Sequence, residues 1–256
     1  MSWPVRTRQG APSIWAFGGG KGGVGKSLVC AGAAVELARR GQKVVVVDAD
    51  LGAANLHTLL GLLHPTFTLA DFFAQRGAEL ADFCIETGIP GLRLVSGAAA
   101  ILRAAHPRPA EKRRLVDALA RLDADAVLID LGAGTHYNTL DFFNVVGHRL
   151  VVTSPEPTSI QNAYAFLKAA VFRRLELGLA GHDWVQGLLA RAVQPRGAER
   201  IDSIDELVER LAARDAEVAD QAQTLIDEMR PRLIINQAGP REQKRVLGAL
   251  AVVCRR

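Results

Sequence analysis

The chain has 256 residues, 49% of them apolar, with a formal net charge of +4, enough for a sizeable core but too mildly basic to require nucleic acid or anionic lipid as a partner. Cys30, Cys84 and Cys254 are far apart and form no CxxC pair, which argues against a zinc ribbon or an iron–sulfur site and points to a reducing cytoplasm. No apolar run approaches the ~18 residues of a membrane span, so any contact with a membrane is expected from its surface.

Residues 1–12 read as a flexible lead, and SIWAF (13–17) as a short buried strand that runs into GGGKGGVGKS (18–27). A helix is expected over 27–40, with a basic end at ARR and a stop at Gly41. KVVVVDAD (43–50) is an unbroken apolar run of the kind covered on both faces of a sheet, and it ends in Asp48 and Asp50. GLRLVSG (91–97) is a weaker strand, and 109–122 an amphipathic helix with proline near its start. DAVLIDLGAG (125–134) is a further buried strand ending in Asp130 and glycines. Residues 148–157 form a strand closed by Pro155 and Pro157, followed by a helix over 158–177 with Thr158 or Ser159 as its cap.

Residues 201–230 are acidic. Ile204, Val208, Leu211, Asp215, Val218, Ala222, Leu225 and Met229 recur at alternating steps of four and three, which predicts one helix with an apolar seam and Asp215 as its defect. RLIINQAG (232–239) is the last strand. One domain is expected over 13–256, with an acidic helical insertion at about 201–230 before that strand.

Alternating strands and helices predict an α/β fold with a mostly parallel sheet and helices on both faces, a three-layer sandwich. Such sheets bind ligands beyond the carboxyl ends of their strands. The glycine run, Asp48, Asp50, Asp130 and Asn236 all fall there. Gly20-x-x-x-x-Gly25-Lys26-Ser27 fits the Walker A pattern. Its glycines allow a tight turn that aims backbone N–H groups at phosphate oxygens, and the following helix adds its positive end. Lys26 is expected to reach the phosphates and Ser27 to hold Mg²⁺.

Lys21 has no duty in an ordinary phosphate loop. KGGVGKS with Lys21, VVVVDADLGAANLHTLLG (44–61), VLIDLGAGT (127–135) and INQ (235–237) together resemble the MinD/ParA group of deviant Walker A P-loop ATPases, in the right order. DADLGAANL and DLGAG look closer to the MinD and FlhG branch than to plasmid ParA proteins. The resemblance covers roughly residues 13–175 and 231–256. It implies ATP held by residues 20–28 (Gly20, Lys21, Gly22, Gly23, Val24, Gly25, Lys26, Ser27 and Leu28), with Asn236 contacting the base and Pro155 and Pro157 bordering it. It implies Mg²⁺ near Ser27, Asp48 and Asp130, catalytic roles for Lys21, Lys26 and Asp50, and two switches, with Asn55 in the first and Gly132 and Gly134 in the second. Lys21 would cross to the partner's phosphates in an ATP-dependent homodimer.

The resemblance also implies slow hydrolysis, a protein activator or cargo, and a part in positioning the division site or flagella. Two other readings stay open: a DNA-partition ATPase using Arg173, Arg174, Arg241, Arg245, Arg255 and Arg256 as a basic face, and a nucleotide-binding scaffold without turnover. Against the family pattern, the start has no DQAxxL-type motif and the C-terminal part reads as shortened. PREQKRVLGALAVVCRR (240–256) is basic and amphipathic, with Val246, Leu250 and Val253 on one side. It reads as a helix packed on the domain, with a peripheral seat at the inner membrane as the other option. The six histidines show no metal-ligand spacing; His136 reads as a loop residue.

Overall fold

Four consecutive valines decide how the layers form. In β2 (Val44–Ala49) successive side chains point to opposite faces, and Val44 to Val47 are all fully buried. Val44 and Val46 join a smaller core on one face, and Val45 and Val47 a larger core under several helices on the other. The computed structural model describes residues 10–50, 54–97, 107–192, 201, 203–242, 244 and 246.

In chain order, β1 (Ser13–Gly18) and α1 (Lys26–Arg39) precede β2. After it come α2 (Leu56–Leu59), α3 (Leu69–Ala74), a 3₁₀ turn (Leu80–Phe83), and β3 (Ile85–Glu86) with β4 (Leu92–Val95). Then follow α4 (Pro109–Leu119), β5 (Ala126–Leu131), α5 (Tyr137–Val145), β6 (His148–Thr153) and α6 (Pro157–Gly178). Helices α7 (Asp183–Ala192), α8 (Ile204–Ala212) and α9 (Ala216–Asp227) lead to β7 (Arg232–Ile235). The seven strands lie in the order β3-β4-β2-β5-β1-β6-β7, parallel except for β3 against β4. The expected parallel α/β sandwich is therefore what the chain forms, with β1 and β5 at its centre.

Two local readings are corrected. The acidic stretch forms two helices, because Asp215 is a cap: its carboxylate accepts from the backbone N–H groups of Glu217 and Val218 and starts α9. Of the seam, Leu211, Val218, Ala222 and Met229 are buried, while Ile204, Val208 and Leu225 are half-buried and Leu207, outside the seam, is the other buried residue of α8. Helix α6 begins earlier than expected. Glu156 is its N-cap and Pro157 its first residue, where a missing N–H costs nothing.

Charged side chains hold the helical layer beyond α6 together. The buried Arg149 guanidinium donates to the carbonyls of Phe143 and Asn144 at the end of α5, and to Glu228 and Met229 at the end of α9. Asp141 on α5 accepts from Lys112 on α4 and from Arg173 on α6, both at 2.6 Å. Arg174 pairs with Glu228 and donates to Leu225 O. Arg173 and Arg174 are thus consumed within the fold rather than displayed as a basic face. Arg241 is exposed, while Arg245, Arg255 and Arg256 lie outside the described residues, as do residues 1–9 of the lead and Leu250 and Val253 of the tail. Val246 is described and buried, against Ile160, Leu233 and Ile235.

Candidate functional site

The phosphate-loop sequence sits where β1 stops and α1 begins. Gly23 and Gly25 have φ near +81° and +82°, a region that side chains with a Cβ rarely adopt. A Cβ at Gly20 would lie 2.0 Å from Asn162 O and one at Gly19 would lie 2.8 Å from Val152 O, so this side of the loop is pressed against its neighbours. At Gly22 and Gly23 a Cβ would meet nothing within 4 Å. The loop is therefore closed toward the protein and open toward solvent, as a cradle for an anion must be. Leu28, in the first turn of α1, is 63% exposed.

Lys26 points inward. It is 7% exposed, and its Nζ donates to Asp130 Oδ1 at 2.7 Å. Asp130 ends β5 directly opposite Asp48 on β2. Burial raises the Asp130 carboxyl above its ordinary range, while Lys26 and a hydrogen bond from Ser27 pull it back. Asp48 is fully buried and has no such cation. Burial pushes it up to about 7, although its oxygens accept from the N–H groups of Leu56 and Asp50. Those two bonds tie Asp50 and the start of α2 to the end of β2. Asp50 lies against Gly132, where a Cβ would be 3.2 Å from its Oδ1. The Gly134 N–H donates to Gly19 O at 3.1 Å, which ties the segment after β5 to the start of the loop. Among the expected switch residues, Gly132 and Gly134 are thus adjacent to Asp50 and the loop, whereas Asn55 is exposed at the start of α2.

Lys21 points elsewhere. Its side chain is 38% exposed, and Nζ donates to Glu156 Oε2 at 2.7 Å and Thr158 Oγ1 at 3.2 Å. Glu156 and Thr158 were not foreseen as site residues; the only signal was a polar pair next to Pro157 at a strand end. Asn236, just after β7, also reaches the loop: its Nδ2 donates to Val24 O at 2.9 Å and is the atom that a Cβ at Gly25 would strike. Its described contact is therefore to the loop backbone. Pro155 is half-buried in the same turn.

Residues 15–251 match the model of the CobQ/CobB/MinD/ParA nucleotide-binding domain. The chain belongs to that family. Among curated members and relatives, the antiactivator FleN of Pseudomonas aeruginosa is 39% identical over 157 residues, covering 60% of this chain and 55% of FleN. The flagellum site-determining protein YlxH of Helicobacter pylori is 33% identical over 198 residues, covering 73% of this chain and 64% of YlxH. The chain thus matches less than two thirds of either relative's length. The septum site-determining protein MinD of Pyrococcus horikoshii, solved with Mg-ADP, shares the CobQ/CobB/MinD/ParA fold at a TM-score of 0.52 and 22% identity, over 85% of this chain and 94% of that one.

The residues present fit a magnesium nucleotide. Among the described residues no group of three or more His, Cys, Asp or Glu side chains is placed to hold a metal unaided. One hydroxyl, Ser27, bonded to one carboxylate, Asp130, suits Mg²⁺, which keeps most of its ligands as water and phosphate oxygen. No helix among the described residues is long and apolar enough to cross a membrane.

Proposed function

We propose that this protein is an Mg²⁺–ATP-dependent dimerisation switch with slow hydrolysis, of the MinD and FlhG type. The observation that carries the reading is the division of labour between two lysines five residues apart. Lys26 is buried beside Asp130, within its own loop. Lys21 is half-exposed at the rim and held by an ion pair to Glu156. Exposed pairs of this kind contribute about 1 kcal/mol or less, so Lys21 can leave Glu156 cheaply for a stronger anion on a facing subunit. The exposed large apolar side chains favour the same reading. Leu28 follows the loop, Leu59, Leu63 and Phe67 follow the β2 turn, and Tyr137 follows the β5 turn. All five flank segments that would respond to the nucleotide, where a second copy would cover them.

In this reading the open backbone of Gly22 and Gly23 and the N-terminus of α1 bind the phosphates, and Lys26 turns from Asp130 to the terminal phosphate. Mg²⁺, when bound, supplies charge neutralisation at the phosphate oxygens. Asp50 orients the attacking water, and Lys21 neutralises charge in trans, as an arginine finger does. Asn236 holds the loop and faces the base. Segment 132–134, bonded to Gly19, relays the loss of the terminal phosphate to α5. The similarity to the flagellum site-determining protein YlxH supports a role in flagellar placement, which the protein would carry out through an activator or cargo protein.

The test is light scattering with ATP, with ADP and without nucleotide, on the wild type and on Lys21→Ala. A dimer that forms only with ATP and is lost in Lys21→Ala is expected. A monomer under all conditions, or a dimer indifferent to Lys21, would sink the proposal.

A further inference from the structure

Val24, in the middle of the phosphate loop, is held at two points. Its side chain is buried in the core that it shares with Cys30 and Ala34 of α1. Its carbonyl accepts from Asn236 Nδ2 at 2.9 Å. A carbonyl can only accept, so the NH₂ of Asn236 and not its oxygen must face Val24. Asn236 is anchored in turn. Its backbone N–H donates to Thr153 O at 2.8 Å, at the end of β6, and Ile234 packs against the same core as Val24. Directly after Asn236 the chain turns at Gln237, which is exposed and has φ of +58°, uncommon for a residue with a Cβ. Such a conformation persists where the surroundings impose it.

This contact decides which way one peptide of the loop faces. The bond from Val24 to Gly25 is trans, and in a trans peptide the C=O and the N–H point in opposite directions. With Val24 O held by Asn236, the Gly25 N–H points away from Asn236. The next residue, Lys26, is fixed through its own bond to Asp130. Gly25 and Asn236 are also matched in shape, since a Cβ at Gly25 would lie 2.3 Å from Asn236 Nδ2. The room left by the missing side chain is room that the carboxamide fills.

We propose that Asn236 is a positioning residue for the phosphates: by pinning the Val24–Gly25 peptide, it keeps the Gly25 N–H turned to receive a phosphate oxygen. The proposal rests on residues 20–27 being a phosphate loop, and it gives Asn236 a task that needs no base. A peptide left free to flip would have to be ordered as the anion arrives, and that ordering weakens binding. A loop set beforehand avoids the loss. The end of β7 thereby acts on the polyphosphate through the loop backbone, without touching the anion itself.

Inorganic tripolyphosphate is the probe, because it offers the phosphates and no base. In calorimetric titrations, Asn236→Ala should bind tripolyphosphate roughly tenfold more weakly than the wild type, the worth of one hydrogen bond, with ATP and GTP weakened alongside it. Tripolyphosphate affinity unchanged while ATP affinity falls would overturn the proposal in favour of a base contact. A lower unfolding midpoint with tripolyphosphate affinity unchanged would overturn it in favour of a purely structural tie. A wild type that binds no tripolyphosphate would overturn it as well, since a loop set beforehand needs no base to bind. Gln237→Gly, which adopts the same φ freely, should bind tripolyphosphate as the wild type does; a loss there equal to that of Asn236→Ala would move the effect from the carboxamide to the turn. Should Asn236→Ala fail to fold, the Asn236 side-chain amide of the wild type decides, by nuclear magnetic resonance. Its proton on Val24 O should exchange slowly with water, with and without tripolyphosphate, and exchange as fast as that of an exposed amide would overturn the proposal. These measurements read single subunits, so they stand whether or not ATP drives pairing.

Discussion

The ammonium of Lys21 lies 2.7 Å from Glu156, on the rim of the loop and away from the floor where Lys26 meets Asp130. The two side chains of the rim pair are 38% and 62% exposed. Glu156→Gln is therefore expected to leave the thermal midpoint almost unchanged, since exposed ion pairs contribute little. It should strengthen ATP-dependent association, because Lys21 then has less to leave. Light-scattering titrations of the variant against the wild type measure this; weaker association would show that Glu156 serves the paired state instead.

The ion pair of Lys26 with Asp130 is buried on both sides. Lys26→Ala should abolish ATP binding by calorimetry. It should also lower the midpoint of unfolding, and more at pH 7.5 than at pH 5, because Asp130 left without its cation can be relieved only by taking up a proton. An equal loss at both pH values would show that Asp130 does not carry the charge that Lys26 balances.

Asp48 predicts a pH dependence of the nucleotide-free protein. Its folded value of about 7 lies above the ordinary 3.8, so between those values the folded state keeps a proton that the unfolded state has lost. Stability from this group is present below pH 4, falls as pH rises to about 7 and is flat above, for a total of up to about 4 kcal/mol. Asp48→Asn should remove that slope in denaturant titrations at pH 5 to 8. A slope unchanged in the variant would place its origin elsewhere.

Asp215 caps α9 through two backbone N–H groups. Asp215→Ala should destabilise the protein by about 1 kcal/mol, and Asp215→Asn by much less. Urea unfolding measures both; equal losses would mean that charge rather than capping is at work.

The same residue shows where sequence reading stops. The four-three spacing from Ile204 to Met229 finds buried Leu211, Val218, Ala222 and Met229 but misses Leu207, and spacing cannot tell a tolerated polar residue from one that ends a helix and starts another. Asp215 does the second because its side chain reaches its own backbone. The parallel sheet was legible because Val44 to Val47 and residues 126–129 are apolar without alternation. The short α2 and α3 and the two-residue β3 were not, since elements of that length carry no period. At the site, Lys26, Ser27 and Asp130 converge because adjacent pattern positions share one loop and one strand end. Glu156 and Thr158 escaped notice as site residues because their link to Lys21 spans about half the chain, and no local pattern announces it.

One guanidinium closes the carboxyl ends of both α5 and α9. At its other end, α5 begins just after the segment bonded to Gly19. Arg149 therefore works as a hinge pin. A tilt that starts beside the nucleotide must either carry α9 with it or strip four carbonyls of their donor, and the rigid-body course is the cheaper of the two.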